Sequence, residues 1–162
     1  MAVRRFGARA VVVDAEDRVL LFRLQNTRSG NSWWATPGGG VEKGEKSLDA
    51  ARRELHEETG IEAAKLEGPV WIDEHWFRTA EDLVHQQDRY FWIRVDRPDV
   101  DVSGQDALEA DVMVEHRWWP LPELDTTEAK VYPLGLGGRV RDLLENGVPE
   151  RPLQLRRPTE KP

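Results

Sequence analysis

The sequence predicts an α/β fold with one continuous core. Runs rich in Val and Leu, each of strand length, alternate along the chain with two segments of helical periodicity. A length of 162 residues suits one compact domain, and 39% hydrophobic with 33% charged residues is ordinary for a globular protein. We predict a domain at residues 1–147, followed by a proline-rich, charged tail at residues 148–162 with little regular structure.

The first two strands are predicted at residues 8–14 and 18–25, where Val and Leu dominate. The polar residues 15–17 between them favour a hairpin turn. Arg23 interrupts the apolar pattern of the second strand. It is either a contact to a substrate phosphate or an outward-facing strand residue.

Three consecutive glycines, Gly38, Gly39 and Gly40, follow the pair Trp33-Trp34 closely. Glycine adopts backbone angles closed to other residues and lets a ligand or an ion come close to the main chain. Together with Arg23, the candidate substrate contacts in this half of the chain are Trp34, Gly39 and Gly40.

A helix is predicted from Ser47, which serves as its N-terminal cap, to about Thr59. Gly60 is well placed to end the helix in the left-handed conformation. The predicted buried stripe consists of Leu48, Ala51 and Leu55. The helix therefore has one apolar face for the core, and its acidic face lies next to that stripe.

Glu54, Glu57 and Glu58 stand at positions i, i+3 and i+4 of this helix and so share one face. Like charges at these spacings repel, and carboxylates at a helix C-terminus meet the negative end of the helix dipole. Because the arrangement opposes helix stability, a positive ligand is expected on this face. A hard divalent cation that prefers oxygen ligands, Mg²⁺ or Mn²⁺, is the natural candidate.

The spacing around these acids is more specific than the acids themselves. Five residues separate Gly39 from Glu45, and seven more separate Glu45 from the pair Arg53-Glu54. An aliphatic residue, two adjacent glutamates, a glycine and a second aliphatic residue complete the pattern. These positions are Gly39, Glu45, Arg53, Glu54, Leu55, Glu57, Glu58, Gly60 and Ile61. Residues 39–61 resemble the Nudix hydrolase signature at every fixed letter, and chance agreement at so many positions is negligible.

The resemblance implies a mixed sheet between helices, an α/β/α sandwich. It also implies a metal-dependent pyrophosphohydrolase that cleaves a nucleoside diphosphate linked to another moiety. An alternative is a Nudix-fold module that binds a nucleotide for regulation without cleaving it. The complete set of acids weighs against that alternative, since a pure sensor does not need them all.

The resemblance further assigns roles to individual residues. The metal ligands it implies are oxygen donors, namely Glu54, Glu57, Glu58 and the main-chain carbonyl of Gly38. In the family, Arg53 and Glu45 are a structural pair that orients the loop and the catalytic acids. The general base is either a glutamate of the signature or an acid of a later loop, where the candidates are Glu109, Asp111 and Glu115.

Further strands are predicted at residues 70–77, 83–95 and 112–119, with a short helix at 121–124 and an amphipathic closing helix at 137–146. Four aromatic residues in this part suit either the core or a slot that stacks on a nucleobase: Trp71, Trp76, Tyr90 and Trp92. Trp76 completes the candidate substrate contacts.

Composition limits the classes of partner. The net charge of -7 argues against broad binding to nucleic acid, but not against a small phosphorylated ligand whose charge a metal neutralises. The absence of cysteine excludes disulfides and thiolate chemistry. No apolar run reaches transmembrane length and no signal peptide is recognisable. We therefore expect a cytoplasmic protein that binds a small nucleotide diphosphate derivative, no extended nucleic acid and no membrane, with a homodimer as a possible assembly.

Overall fold

A computed structural model describes residues 2–96, 99–106 and 112–157. Nine strands lie within these ranges: β1 (Ala2–Val13), β2 (Arg18–Gln25), β3 (Ser32–Ala35), β4 (Gly38–Gly40), β5 (Glu67–Arg78), β6 (Leu83–Arg94), β7 (Met113–Pro120), β8 (Val131–Tyr132) and β9 (Leu153–Arg156). The helices described are α1 (Ser47–Thr59), α2 (Leu121–Thr126) and α3 (Leu136–Asn146). No helix in these ranges has both the length and the apolar character of a membrane span.

The strands form a mixed sheet organised around β1. This strand runs parallel to β6 along its whole length and antiparallel to β2 and β4. The hydrogen-bonded order is β8-β3-β2-β1-β6-β5-β9, while β4 and β7 pair with β1 and β2 outside this path. Because β4 consists of the three glycines, the glycine segment 38–40 lies directly against β1.

Two hydrophobic clusters pack on the two faces of β1, as the alternation of side chains along a strand requires. Ala10 packs with Leu55 of α1 on one face. Val11 packs with Val140 of α3 on the other face. The predicted α/β/α sandwich with a mixed sheet is therefore confirmed.

The predicted helix over the acidic segment is present, and its C-terminus is as expected. Gly60 has φ 71°, and its N–H donates to the carbonyl of His56 at 2.8 Å. The prediction of Ser47 as the N-terminal cap is wrong. Lys46 occupies that position with an extended backbone and without a side-chain hydrogen bond to the helix, and Ser47 is the first helical residue.

The expectation of an irregular tail is wrong for residues 153–156, which form β9 parallel to β5. Main-chain pairing with the free edge of β5 gives this segment its partners, and Arg156 lies in register with the buried Asp73. Pro152 precedes the strand, so it removes no donor from it.

Candidate active site

Arg53 connects the acidic helix to the loop before it. Its Nε and Nη2 donate to the two carboxylate oxygens of Glu45 at 2.9 and 3.0 Å. Nη2 also donates to the carbonyl of Gly40 at 3.1 Å, and Nη1 donates to Glu54 at 2.9 Å. The hydrogen bonds with Glu45 raise the pKa of Arg53, and Arg53 in turn holds the pKa of Glu45 below its ordinary value. The guanidinium thus fixes the loop, β4 and one helix acid together.

Glu58 lies beneath the glycine segment. It is 1% exposed, and its Oε2 accepts a hydrogen bond from the N–H of Gly38 at 3.0 Å. Gly38 has φ +151°, and a Cβ built on it would stand 2.4 Å from the carbonyl oxygen of Ala8. Only glycine therefore fits where β4 passes over Glu58 and against β1.

Glu54 and Glu57 are less enclosed. Glu54 lies against Gly39, where an added Cβ would come within 2.6 Å of its Oε1. Glu57 has a side chain 43% exposed, and its Oε2 is 3.6 Å from Nη1 of Arg53. Two of the three helix glutamates therefore contact the glycine segment, and the third opens to solvent.

The donor set fits a hard divalent cation. Carboxylate oxygens of α1 and main-chain carbonyls of the glycine segment are the oxygen ligands that Mg²⁺ and Mn²⁺ prefer. Gly39 leaves room beside Glu54 that a side chain would fill. Across the described ranges, however, no three His, Asp or Glu side chains converge on a finished metal-binding cluster. In this arrangement Nη1 of Arg53 lies 2.9 Å from one oxygen of Glu54 and 3.6 Å from one oxygen of Glu57.

Three arginines of β1 line a groove on the other side of the glycine segment. The groove has a volume of about 450 Å³, and its lining includes Arg4, Arg5, Arg9, Gly39 and Gly40. Guanidinium groups are donors that match the oxygens of phosphate groups. A chain with a net charge of -7 thus carries a local basic groove next to its acidic helix.

Arg9 also connects this region to a second cavity. Its Nη1 donates to the carbonyl of Thr36 at 3.3 Å and lies 3.5 Å from that of Gly38, while its Nε is 3.9 Å from Asp88. Burial works against the charge of Arg9, but Asp88 and other nearby acidic groups outweigh it and raise the pKa of Arg9. Arg9 therefore stays cationic between the glycine segment and Asp88.

The second cavity has a volume of about 290 Å³ and lies on the face of the sheet opposite α1. Its walls combine aromatic rings with charged and polar side chains. They include Trp33, Tyr90 and Tyr132, and Arg9, Asp73, His75, Asp88 and Arg156. Flat rings beside a few fixed polar groups suit a flat heteroaromatic ligand.

Burial and neighbouring charges shift the pKa values of several side chains in this cavity. Burial, followed by the charge of Arg156, lowers the pKa of His75 and keeps its imidazole neutral at neutral pH. Burial, followed by the charge of Asp88, raises the pKa of Tyr90 and keeps its hydroxyl protonated. Hydrogen bonding to Asp73 raises the pKa of Arg156. The cavity therefore places neutral hydrogen-bonding groups between carboxylates and guanidinium groups.

Comparison with known proteins gives the decisive observation. The family model described as the NUDIX domain matches residues 3–134. The chain belongs to the NUDIX domain family. Members of this family generally use divalent metals, and α1 and the glycine segment offer oxygen donors of the kind that such metals prefer.

Proteins similar to this NUDIX domain include RNA pyrophosphohydrolases and solved structures of other NUDIX domains. An RNA pyrophosphohydrolase of Bartonella clarridgeiae is 55% identical over 42 residues, which cover 25% of this chain and 24% of that protein. The chain thus spans about a quarter of that relative. Another RNA pyrophosphohydrolase, of Francisella tularensis subsp. mediasiatica, is 28% identical over 142 residues, or 79% of this chain and 88% of that protein. The NUDIX domain of Shewanella oneidensis NrtR, solved with ADP ribose, has a TM-score of 0.65 at 20% identity over 88% of this chain and 89% of that one, a likeness of fold alone.

Two aromatic residues predicted to contact substrate lie away from the second cavity of this NUDIX domain. Trp34 is buried in the core and meets Trp119 edge-on, with 5.1 Å between ring centroids. Its neighbour Trp33 lines the cavity instead. Trp76 stacks on His85 at 4.6 Å, and the alternation along β5 puts it on the face opposite the cavity.

Arg23 and Glu115 face each other across β2 and β7. Nε of Arg23 is 3.2 Å from Oε1 of Glu115, and the two residues are partners in the antiparallel register. The candidate phosphate contact is thus paired with one candidate for the general base. The other two late candidates, Glu109 and Asp111, lie outside the described residues.

Tyr90, one of the four aromatic candidates for a slot that stacks on a nucleobase, lines the second cavity. The charged residues of the cavity were not predicted as part of a site, although they carried a signal. Arg9, Asp73 and Asp88 are charged residues within segments predicted as strands or next to their apolar runs. Charged residues are rarely buried unless they are paired, so such positions mark candidates for a polar site. Arg156 carried no comparable signal, because it lies in a segment whose composition favours an irregular tail.

Proposed function

We propose that this NUDIX domain is a metal-dependent pyrophosphohydrolase that cleaves a nucleoside diphosphate linked to another moiety. The observation that carries the proposal is the contact of two helix glutamates with the glycine segment, Glu58 with Gly38 and Glu54 with Gly39. It joins carboxylates to a stretch of main chain that a diphosphate can approach. The names of the RNA pyrophosphohydrolase relatives support the same class of reaction.

The diphosphate lies between the arginine groove and the acidic helix. The guanidinium groups of Arg4, Arg5 and Arg9 bind its non-bridging oxygens, and the glycine segment allows close approach to the main chain. Phosphoryl transfer depends mainly on positioning and on stabilisation of charge in the transition state. These residues therefore contribute by fixing the phosphates for in-line attack.

Glu54, Glu57 and Glu58, with the carbonyl of Gly38, would hold the cation, and either Mg²⁺ or Mn²⁺ suits these oxygen ligands. When bound, a divalent ion neutralises phosphate charge and makes a water molecule more acidic. Arg53 keeps Glu54 in place while it holds the loop through Glu45. A carboxylate takes the proton of the attacking water, and the exposure of Glu57 gives it the best access to solvent of the three.

The base of the nucleotide occupies the second cavity, with Trp33 and Tyr132 as stacking surfaces. Arg9 spans the distance between this cavity and the glycine segment, which joins the base and diphosphate sites. The net charge of -7 favours a small ligand, and the relatives' name adds the triphosphate end of an RNA as a candidate. A cytoplasmic location and a homodimer remain part of the proposal.

A panel of ATP, GTP, CTP, UTP, ADP-ribose and a 5′-triphosphate RNA tests the proposal, with Mg²⁺ or Mn²⁺ and chromatography of the products. We expect cleavage of a phosphoanhydride bond in at least one of them. Binding of a nucleotide without any product would instead support the regulatory module. Failure to bind or cleave any of them would contradict both.

The variants Glu57→Gln and Glu58→Gln should each lower kcat by at least about 100-fold, because each removes a ligand charge worth several kcal/mol to the reaction. Both should stay folded, since Glu57 is exposed and an amide at position 58 still accepts from Gly38. Glu62→Gln, an exposed residue beyond the helix, is the control. Near-normal turnover in both helix variants would rule out the role proposed for the acids.

A further inference from the structure

Strand β9 lies outside residues 3–134, which match the NUDIX domain, and yet it contributes to the second cavity. It pairs in parallel with β5, from the Trp71–Leu153 pair to the Asp73–Arg156 pair. This pairing brings Arg156 to the wall of the cavity. A segment beyond the family match therefore supplies a charged group to the region where we place the base.

Asp73 and Asp88 form a pair of like charges inside the sheet. They are directly opposite each other in the antiparallel register of β5 and β6, and they are 2% and 6% exposed. Carboxylates at this spacing repel each other, and burial removes their hydration. Such a pair requires cations or hydrogen-bond donors close by.

Two arginines from different strands compensate this pair, but unequally. Arg156 donates to both oxygens of Asp73, at 2.7 and 2.5 Å. At Asp88, Gln86 donates to Oδ1 at 2.9 Å, and Nε of Arg9 is 3.9 Å from the same atom. Both carboxylate oxygens of Asp73 therefore accept hydrogen bonds from Arg156. Among the described residues, the contacts given for Asp88 are to its Oδ1.

We propose that Arg156 determines base specificity as a positioning residue. It neutralises Asp73 and holds β9 against β5, and it thereby leaves Asp88 as the carboxylate that binds the substrate's base. The inference rests on the proposed function, which places the base in this cavity. The ligand class selected is a flat heteroaromatic group that stacks on Trp33 or Tyr132 and donates N–H groups to Asp88. Without Arg156, Asp73 becomes a second buried carboxylate without its partner, and the wall formed by β9 loosens.

Docking of β9 and occupation of the cavity are then coupled. If docked β9 improves binding of the base, a bound base stabilises docked β9 by the same free energy. Hydrogen exchange of the main-chain amides in residues 153–156 reports this coupling, and it requires no turnover.

The first test compares Arg156→Gln and Arg156→Lys with the control Arg157→Gln. Arg157 follows β9, is exposed and donates to Gln154 at 3.0 Å, and it does not line the cavity. We would measure kcat and KM for ATP, GTP, CTP and UTP with Mg²⁺, and inhibition by inorganic pyrophosphate, which has no base. A melting curve of each variant shows that it is folded.

We expect Arg156→Gln to raise KM for the preferred nucleotide about tenfold or more, with kcat changed by less than about threefold. The differences in kcat/KM among the four nucleotides should become smaller. Inhibition by pyrophosphate should not change, because the phosphate site is intact. Arg156→Lys should recover part of the loss, and Arg157→Gln should match the wild type. The inference would be overturned if Arg156→Gln left KM and the preference among the four nucleotides unchanged. It would also be overturned if the variant lowered kcat, raised KM for all four nucleotides equally and weakened inhibition by pyrophosphate.

The second test measures hydrogen exchange with the same nucleotides in metal-free buffer. Nucleotide should slow exchange of residues 153–156 in the wild type and in Arg157→Gln, and much less in Arg156→Gln. If no nucleotide slows exchange in the wild type, the inference fails even if the enzyme hydrolyses all four. If exchange slows but, with Mg²⁺ or Mn²⁺, neither these four nucleotides nor ADP-ribose nor the 5′-triphosphate RNA is hydrolysed, the proposed reaction fails while the role of Arg156 in binding stands.

Discussion

Arg53 holds both carboxylate oxygens of Glu45 and, through its third nitrogen, Glu54. The three glutamates of α1 lie near its C-terminus, where the helix dipole disfavours negative charge. Arg53 compensates that charge within the fold and at the same time sets the position of the loop relative to the helix. The fork of a guanidinium is needed for this geometry, because one ammonium cannot reach three partners at fixed angles.

Arg53→Lys should therefore lower the free energy of unfolding by about 1–2 kcal/mol and lower kcat, although the charge is kept. Urea denaturation and steady-state kinetics check both effects. Arg52→Lys is the matched control, since Arg52 lies one position earlier, is 4.0 Å from Asp49 in a weak pair and donates to the carbonyl of Ala64 at 3.1 Å, without bridging the loop to the acids. Equal denaturation midpoints for the two variants would show that the hydrogen bonds from Arg53 to Glu45 and Glu54 do not stabilise the fold.

Stability should fall with acid in a way that depends on Glu45. Arg53 lowers the pKa of Glu45 from its ordinary value of 4.5, so the unfolded chain binds this proton at a higher pH than the folded chain. The contribution of Glu45 is therefore present above the unfolded pKa and is lost as pH falls through the folded pKa. Glu45→Gln should lower stability at neutral pH and flatten its dependence on pH below the ordinary pKa of 4.5, as measured by urea midpoints. A pH dependence as steep as that of the wild type would count against this ion pair.

Gly39→Ala should reduce activity without unfolding the protein. The new Cβ would displace the Glu54 carboxylate, which is the end of a flexible side chain, so the main chain can stay in place. We expect kcat to fall by about 10- to 100-fold, since small displacements of catalytic groups are costly. Gly138→Ala in α3 is the control, because a Cβ there meets nothing within 4 Å and the residue lines neither the arginine groove nor the second cavity. Similar kinetics for the two variants would show that the position of Glu54 beside Gly39 is unimportant.

His75 should titrate below its ordinary pKa of 6.5, because burial and then Arg156 disfavour the imidazolium. The unfolded chain takes up this proton first, so the stability from neutral His75 is present above the unfolded pKa and decreases as pH falls. NMR titration of the His75 ring protons measures this. Arg156→Gln should raise the pKa of His75. A value at or above 6.5 in the wild type would mean that His75 is not held as described.

The sequence predicts best where the determinants are local. The α1 helix and its end at Gly60 involve residues within one short segment, and the structure contains them. The pair of Arg53 and Glu45 is implied by the resemblance to the Nudix signature, and the structure contains it as well. Ser47 shows the limit of such reasoning, because its residue type suits a cap but Lys46 occupies that position. A one-residue shift of a helix start depends on the chain before it, which the local pattern does not fix.

Non-local pairing explains what the sequence could not predict. β9 forms because its main chain meets the free edge of β5, and a proline-rich composition gives no sign of that edge. In the same way, Trp33 and Trp34 are adjacent and chemically identical, and only the packing of Trp34 on Trp119 decides which one faces the cavity. The second cavity collects side chains from β1, β5, β6 and β9, so it exists only in the folded sheet.

The separations along the chain between these partners have a kinetic consequence. Gly38 and Glu58 are 20 residues apart, whereas Asp73 and Arg156 are 83 apart. Closing the longer loop costs more entropy before any contact rewards it, so β9 should dock late. Substitution of Arg156 should then speed unfolding more than it slows folding, which stopped-flow rates would show. During folding, the contact of Glu58 with the glycine segment should thus form before the second cavity is complete, so the proposed cation site should be assembled before the proposed base site.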